Sequence, residues 1–130
     1  MLDKQRSLFA KLTSRKQSGN DAEDKALKFL KKQGLRLLER NFSTKSGEVD
    51  LIMQDASTEA LVFVEVRYRK NADFGGAAAS VTPKKQQRII KAALAYQQKN
   101  APQSSMRFDV VAIEGDDMQI NWIASAFDGF

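Results

Sequence analysis

The run from Leu61 to Val66 limits most strongly what this chain can fold into, because it is continuously apolar except for Glu65. A run of that kind reads as a strand with both sheet faces covered. A carboxylate inside it must meet a cation, a metal ion or strong hydrogen-bond donors, or it destabilises the fold. A second strand-like run, from Gly47 to Met53, carries Glu48 and Asp50. Strict alternation places Val49, Leu51 and Met53 on one face of it and Glu48, Asp50 and Ile52 on the other. The run from Leu61 to Tyr68 divides the same way, with Leu61, Phe63, Glu65 and Arg67 opposite Val62, Val64, Val66 and Tyr68. The polar link from Gln54 to Glu59 has hairpin length, which predicts that the two strands are antiparallel neighbours.

At 130 residues the chain suits one domain with a core of its own. It has no cysteine and no histidine. That excludes disulfides, thiolate zinc sites, a cysteine nucleophile and a histidine general base. Any metal site must be built from oxygen ligands, which favours Mg²⁺ or Mn²⁺. No apolar run has membrane-spanning length, and the amino terminus lacks the apolar core of a secretory signal. A cytoplasmic protein with no membrane partner is expected. The net charge is +5, of which residues 1–18 supply +4 (five cations against Asp3). The interval from Arg67 to Lys91 holds seven cations against Asp73 alone, directly after the acidic strands.

Taken in order, residues 1–18 read as a basic, flexible arm and residues 19–130 as a single α/β domain. Asn20 or Asp21 caps a helix to about Gln33, closed by Gly34. Its apolar side holds Ala22, Ala26, Phe29 and Leu30, and Glu23 falls inside that arc. A short strand from Leu35 to Arg40 precedes the acidic pair of strands. A small-residue loop follows over 71–80, with Phe74 near its centre. Thr82 caps a second helix, with Pro83 at its first turn, running to about Asn100. Strands from Met106 to Ile113 and from Met118 to Ile123 finish the domain. Asp109, inside the fourth strand, is read as the structural partner of a buried Arg or of a backbone donor. This order predicts a mixed sheet of about five strands flanked by helices.

Glu65 and Arg67 point the same way, about 6.6 Å apart along a strand. With Asp50 from the neighbouring strand and Glu23 from the helix, they form a candidate hard-cation site. A cation there activates water and polarises a phosphoryl oxygen, and a guanidinium beside it stabilises developing charge. Arg69, Lys70, Lys84, Lys85 and Arg88 are candidates for holding a nucleic-acid backbone. The competing reading is an ion-pair lattice of Asp50, Glu65, Arg67 and Arg69, with Glu23 paired to a nearby Arg.

The sequence GEVD over 47–50, followed by LVFVEVRYR over 61–69, resembles the YraN family of small bacterial proteins. Supporting matches are the Glu23 helix, Arg40-Asn41, Phe74-Gly75, Thr82 to Arg88 with Lys85, and Arg107-Phe108-Asp109. They extend over about residues 19–122. That family is similar to the restriction-endonuclease-like PD-(D/E)xK nucleases and to archaeal Holliday-junction resolvases. The resemblance implies a restriction-endonuclease-like core and a catalytic set of Glu23, Asp50, Glu65 and Arg67. Asp50 and Glu65 would be the ligands of Mg²⁺ or Mn²⁺. Two departures stand out: Arg67 occupies the position of the motif lysine, and Val49 stands where a proline precedes the first acid. The function expected is a metal-dependent endonuclease acting on DNA, including branched or structured DNA, working as a homodimer. The alternatives are a non-catalytic nucleic-acid-binding module on the same fold, and an adaptor that recruits a partner through residues 1–18 or the Phe74 loop.

Overall fold

The computed structural model describes residues 20–70 and 76–129. The expected arm over 1–18 and the Phe74 segment lie outside the described residues. Helix α1 occupies 20–32, and Gly34 follows it at φ +94°, the left-handed conformation that ends helices. Then come β1 (Leu35–Ser43), β2 (Glu48–Asp55) and β3 (Leu61–Arg69). A 3₁₀ turn at Ala78–Ser80 leads to α2 (Pro83–Asn100), followed by β4 (Met106–Glu114) and β5 (Gln119–Phe127). As expected, Thr82 caps α2: its side chain accepts from the Lys85 N–H at 3.3 Å, and Pro83 opens the helix.

The five strands lie in the order β1-β2-β3-β4-β5. Only β3 and β4 are parallel, because α2 carries the chain back between them. The mixed sheet flanked by helices is the α/β architecture expected, consistent with a restriction-endonuclease-like core. One face packs Leu51, Met53, Val62 and Val64 against Ala22, Ala26 and Leu30 of α1. The other packs Ile52, Phe63, Phe108 and Val110 against Ile89, Ile90 and Ala93 of α2. Phe63 is fully buried there, stacked on Phe108 at 5.6 Å and edge-on to Tyr96 at 6.2 Å. Covering both faces is what lets the apolar run of β3 exist as a strand.

In β2, strict alternation fails at its start. Val49 does not share a face with Leu51 and Met53; it packs in the α2-side core with Ile52 and Phe63. The cause lies in both strands at once. Phe42 pairs with Val49 and Arg40 with Leu51, and between them Asn41 takes φ 53°. A left-handed residue breaks the two-residue repeat. Phe42 therefore packs on the α2 side, while Arg40 reaches α1. Asp50 stands opposite this irregularity. Beyond Leu51↔Val64 the β2–β3 ladder ends, so the two strands part just where Asp50 and Glu65 lie.

Gly47 lets the start of β2 touch α2. A Cβ there would lie 1.8 Å from the Arg88 carbonyl oxygen, so only glycine allows the approach. Asp109 is the buried structural acid expected. Arg107 grips it with Nε and Nη2, each at 2.9 Å, and it accepts from Trp122 Nε1 and the Ser125 N–H, each at 3.0 Å.

Candidate active site

The fork between β2 and β3 leaves backbone groups without ladder partners. Asp50 fills one such place: its Oδ2 accepts from the Val66 N–H at 2.8 Å. Its neighbour across the fork is Glu65, and the two carboxyls share a hydrogen bond. Burial raises the Asp50 carboxyl above its ordinary range, and the Val66 N–H opposes that rise. Burial, then the charge of Asp50, push Glu65 up to about 8, with Arg67 opposing. Two acids this close in a half-buried fork cannot both ionise freely, so near neutrality they hold a proton between them.

Arg67 is fixed from two sides. Its Nη1 lies 3.6 Å from Glu65 Oε1, and its Nε donates to Ser80 Oγ at 2.8 Å. Ser80 in turn donates to the Ala77 carbonyl, inside the turn that Glu114 anchors by accepting from the Ala77 N–H at 3.0 Å. Glu65 and Arg67 form one wall of a cleft of about 330 Å³ on the α2 side, and Lys84, Lys85 and Arg88 line it from the first turns of α2. Glu48 lies at its rim. Lys85 is close enough to Glu65 to oppose its rise in proton affinity.

Asp50 itself opens the other way. With Glu23, Val66 and Tyr68 it lines a cleft of about 260 Å³ on the α1 side. Glu23 is buried and bound to Arg40, whose Nε and Nη2 lie 3.1 and 3.0 Å from Glu23 Oε1. Its charge still reaches Asp50.

Glu65, Arg67, Lys84, Lys85 and Arg88 are thus brought together on the α2 side with Asp50 beside Glu65, while Glu23, paired to Arg40, shares the α1-side cleft with Asp50. Arg69 and Lys70 are exposed at the far end of β3, where Lys70 lines a separate cleft with Glu114 and Asp117. Among the described residues no group of three or more Asp and Glu side chains is gathered as a cation site. No described helix is long and apolar enough to cross a membrane.

The pattern "Uncharacterised protein family UPF0102" matches residues 22–113, a span that runs from α1 to the end of the parallel strand pair. The chain belongs to the UPF0102 family. It is 52% identical to a UPF0102 protein of Herminiimonas arsenicoxydans over 116 residues, 89% of this chain and 90% of that one. It is 50% identical to one of Vibrio vulnificus over 118 residues, 88% of this chain and 95% of that one. A third, from Pseudomonas fluorescens, is 51% identical over 114 residues, 86% of this chain and 93% of that one. The resemblance to the YraN family therefore holds, since these UPF0102 proteins are that family. The UPF0102 match takes in every candidate residue, from Glu23 to Arg88. It also includes Ser80, which the sequence reading missed; a lone serine after a small-residue loop carries no periodic or motif signal.

Proposed function

We propose that this UPF0102 protein is a divalent-cation-dependent phosphodiester hydrolase acting on DNA. The observation that carries the reading is the hydrogen-bonded Asp50–Glu65 pair beside a cleft walled by Arg67, Lys84, Lys85 and Arg88. The donor set fits Mg²⁺ or Mn²⁺: both atoms offered are carboxylate oxygens, and the proton they share is one that a cation can replace. Two protein carboxylates suffice, because Mg²⁺ keeps waters and takes substrate phosphate oxygens for the remainder of its shell. When bound, such an ion supplies an activated water and polarises a phosphoryl oxygen.

The chain's own residues do the rest. Arg67, held by Ser80 and Glu65, offers its guanidinium to the phosphate oxygens on which charge develops. A guanidinium has no lone pair with which to take up a proton, so the proton of an attacking water goes to the carboxylates or to solvent. Lys84, Lys85 and Arg88 hold the flanking backbone. Branched or structured DNA follows from the similarity to resolvases. Cutting two strands takes two such sites, so a homodimer belongs to this reading.

The test is cleavage of labelled single-stranded, duplex, flapped and four-way DNA in Mn²⁺, Mg²⁺ or EDTA. Cutting that needs the cation and is lost in Asp50→Asn supports the hydrolase. The Arg67 position favours a second reading, a binding module without catalysis. No cutting, with salt-sensitive DNA binding retained in EDTA, would select it.

A further inference from the structure

We propose that nucleic acid held at this cleft continues along the exposed side of α2, over Lys91 and across to Lys45 in the β1–β2 turn, and not toward Arg69 and Lys70. The inference rests on the nucleic-acid reading above and gives that partner a direction. Lys84, Arg88 and Lys91 recur at helical spacing and are all exposed, so they form one cationic stripe about 10 Å long. Lys45 extends the stripe onto the sheet. It is exposed in a turn in which Thr44 Oγ1 accepts from the N–H groups of Ser46 and Gly47. That turn abuts α2 directly, because Gly47 rests on the Arg88 carbonyl.

None of these four cations makes an ion pair among the described residues; the ion pairs found there belong to Arg40, Arg67 and Arg107. Glu48 is the acid at the rim. Arg69 and Lys70 are placed differently: Arg69 stands across from Glu114 in the parallel ladder, and Lys70 shares its cleft with Glu114 and Asp117. The chemistry of the stripe also selects its partner. A protein interface needs an apolar or aromatic centre. Leu38 of β1 is the one large hydrophobic exposed among the described residues. Separated cations with no apolar centre suit a phosphate backbone.

The test is binding of a fluorescein-labelled DNA duplex in EDTA across a NaCl series, followed by anisotropy. The Lys45→Ala/Lys91→Ala double variant is compared with wild type and with Lys31→Ala/Lys32→Ala, which removes the same charge from α1 on the opposite face. The slope of log affinity against log salt becomes shallower by about 2 in the first variant and stays as in wild type in the second. An unchanged slope in Lys45→Ala/Lys91→Ala overturns the path, as does an equal drop in the α1 control or a drop carried instead by Arg69→Ala/Lys70→Ala. Loss of binding to poly-glutamate in the first variant, with DNA binding unaltered, overturns it in favour of an acidic protein partner. If wild type binds no DNA in any salt, the functional reading falls together with the path.

Discussion

Glu65 is the residue on which the account turns, and its environment makes its charge a matter of pH. Its folded carboxyl sits at about 8 against an ordinary 4.5, so the folded state binds this proton more tightly than the unfolded state does. The sign follows: the stabilisation is complete below about pH 4.5 and is lost as pH rises through about 8. Glu65→Gln, which is neutral throughout, is expected to flatten that decline, so that its melting temperature overtakes wild type above pH 8 in EDTA. Parallel pH–melting curves for the two proteins would contradict the shared proton. Ser80 acts through Arg67, whose Nε it receives at 2.8 Å. Ser80→Ala should lower kcat/KM about tenfold through a freed guanidinium. Ser80→Thr, which keeps the hydroxyl, should restore it, and both variants should melt within a few degrees of wild type. Glu65 was legible in the sequence because a carboxylate inside an apolar strand is a conflict visible without coordinates. Asp109 posed the same conflict, and its four donors show the structural solution. Glu23 was readable as an acid on an apolar arc, with pairing to a nearby Arg as one of its two readings, and Arg40 makes that pair. Which partner it meets depends on Arg40, a residue placed by the strand irregularity.

At the scale of elements, the site exists because β2 and β3 stop pairing while Asp50 and Glu65 remain half-buried. Opposite Asp50, the left-handed backbone of Asn41 turns Arg40 toward α1 and Phe42 toward α2. Alternation could not reveal this, since it assumes one conformation for every residue of a strand. It read Leu51, Ile52 and Met53 correctly and misplaced Val49 and Asp50: Val49 packs on the α2 side, and Asp50, expected on the face of Ile52, lines the α1-side cleft. Helix α2 was legible from Thr82-Pro83 and its apolar side, but not its seat on β2, which Gly47 sets. Gly47→Ala brings a methyl group into the Arg88 carbonyl and should destabilise by about 2 kcal/mol or more, with loss of DNA binding as α2 shifts. Gly34→Ala, where a Cβ meets nothing within 4 Å, should cost about 1–2 kcal/mol through its left-handed φ alone. Denaturant midpoints check the order; an equal or smaller loss at Gly47 would remove the close approach from the account.

Across the whole molecule, α1 and α2 cover opposite faces of the sheet, and a cleft opens on each face at the one point where β2 and β3 diverge. The cationic cleft lies on the α2 side and the acidic one on the α1 side, with Asp50 and Glu65 between them. The charge run from Arg67 to Lys91 was legible as one basic segment. Folding divides it, sending Arg69 and Lys70 to the acid-lined end of β3 and keeping Lys84, Lys85 and Arg88 over Glu65. That division depends on where α2 returns across the sheet, which no local pattern encodes. The membership in UPF0102 extends over nearly all of this frame, and what the frame can do rests on the carboxylate pair. The most direct measurement is calorimetric titration of Mn²⁺ into the protein at pH 7 in two buffers of different ionisation enthalpy. One ion per chain should bind with proton release, and both should be lost in Asp50→Asn/Glu65→Gln. Binding that survives the double substitution, or no binding at millimolar Mn²⁺, would contradict a cation site at the carboxylate pair.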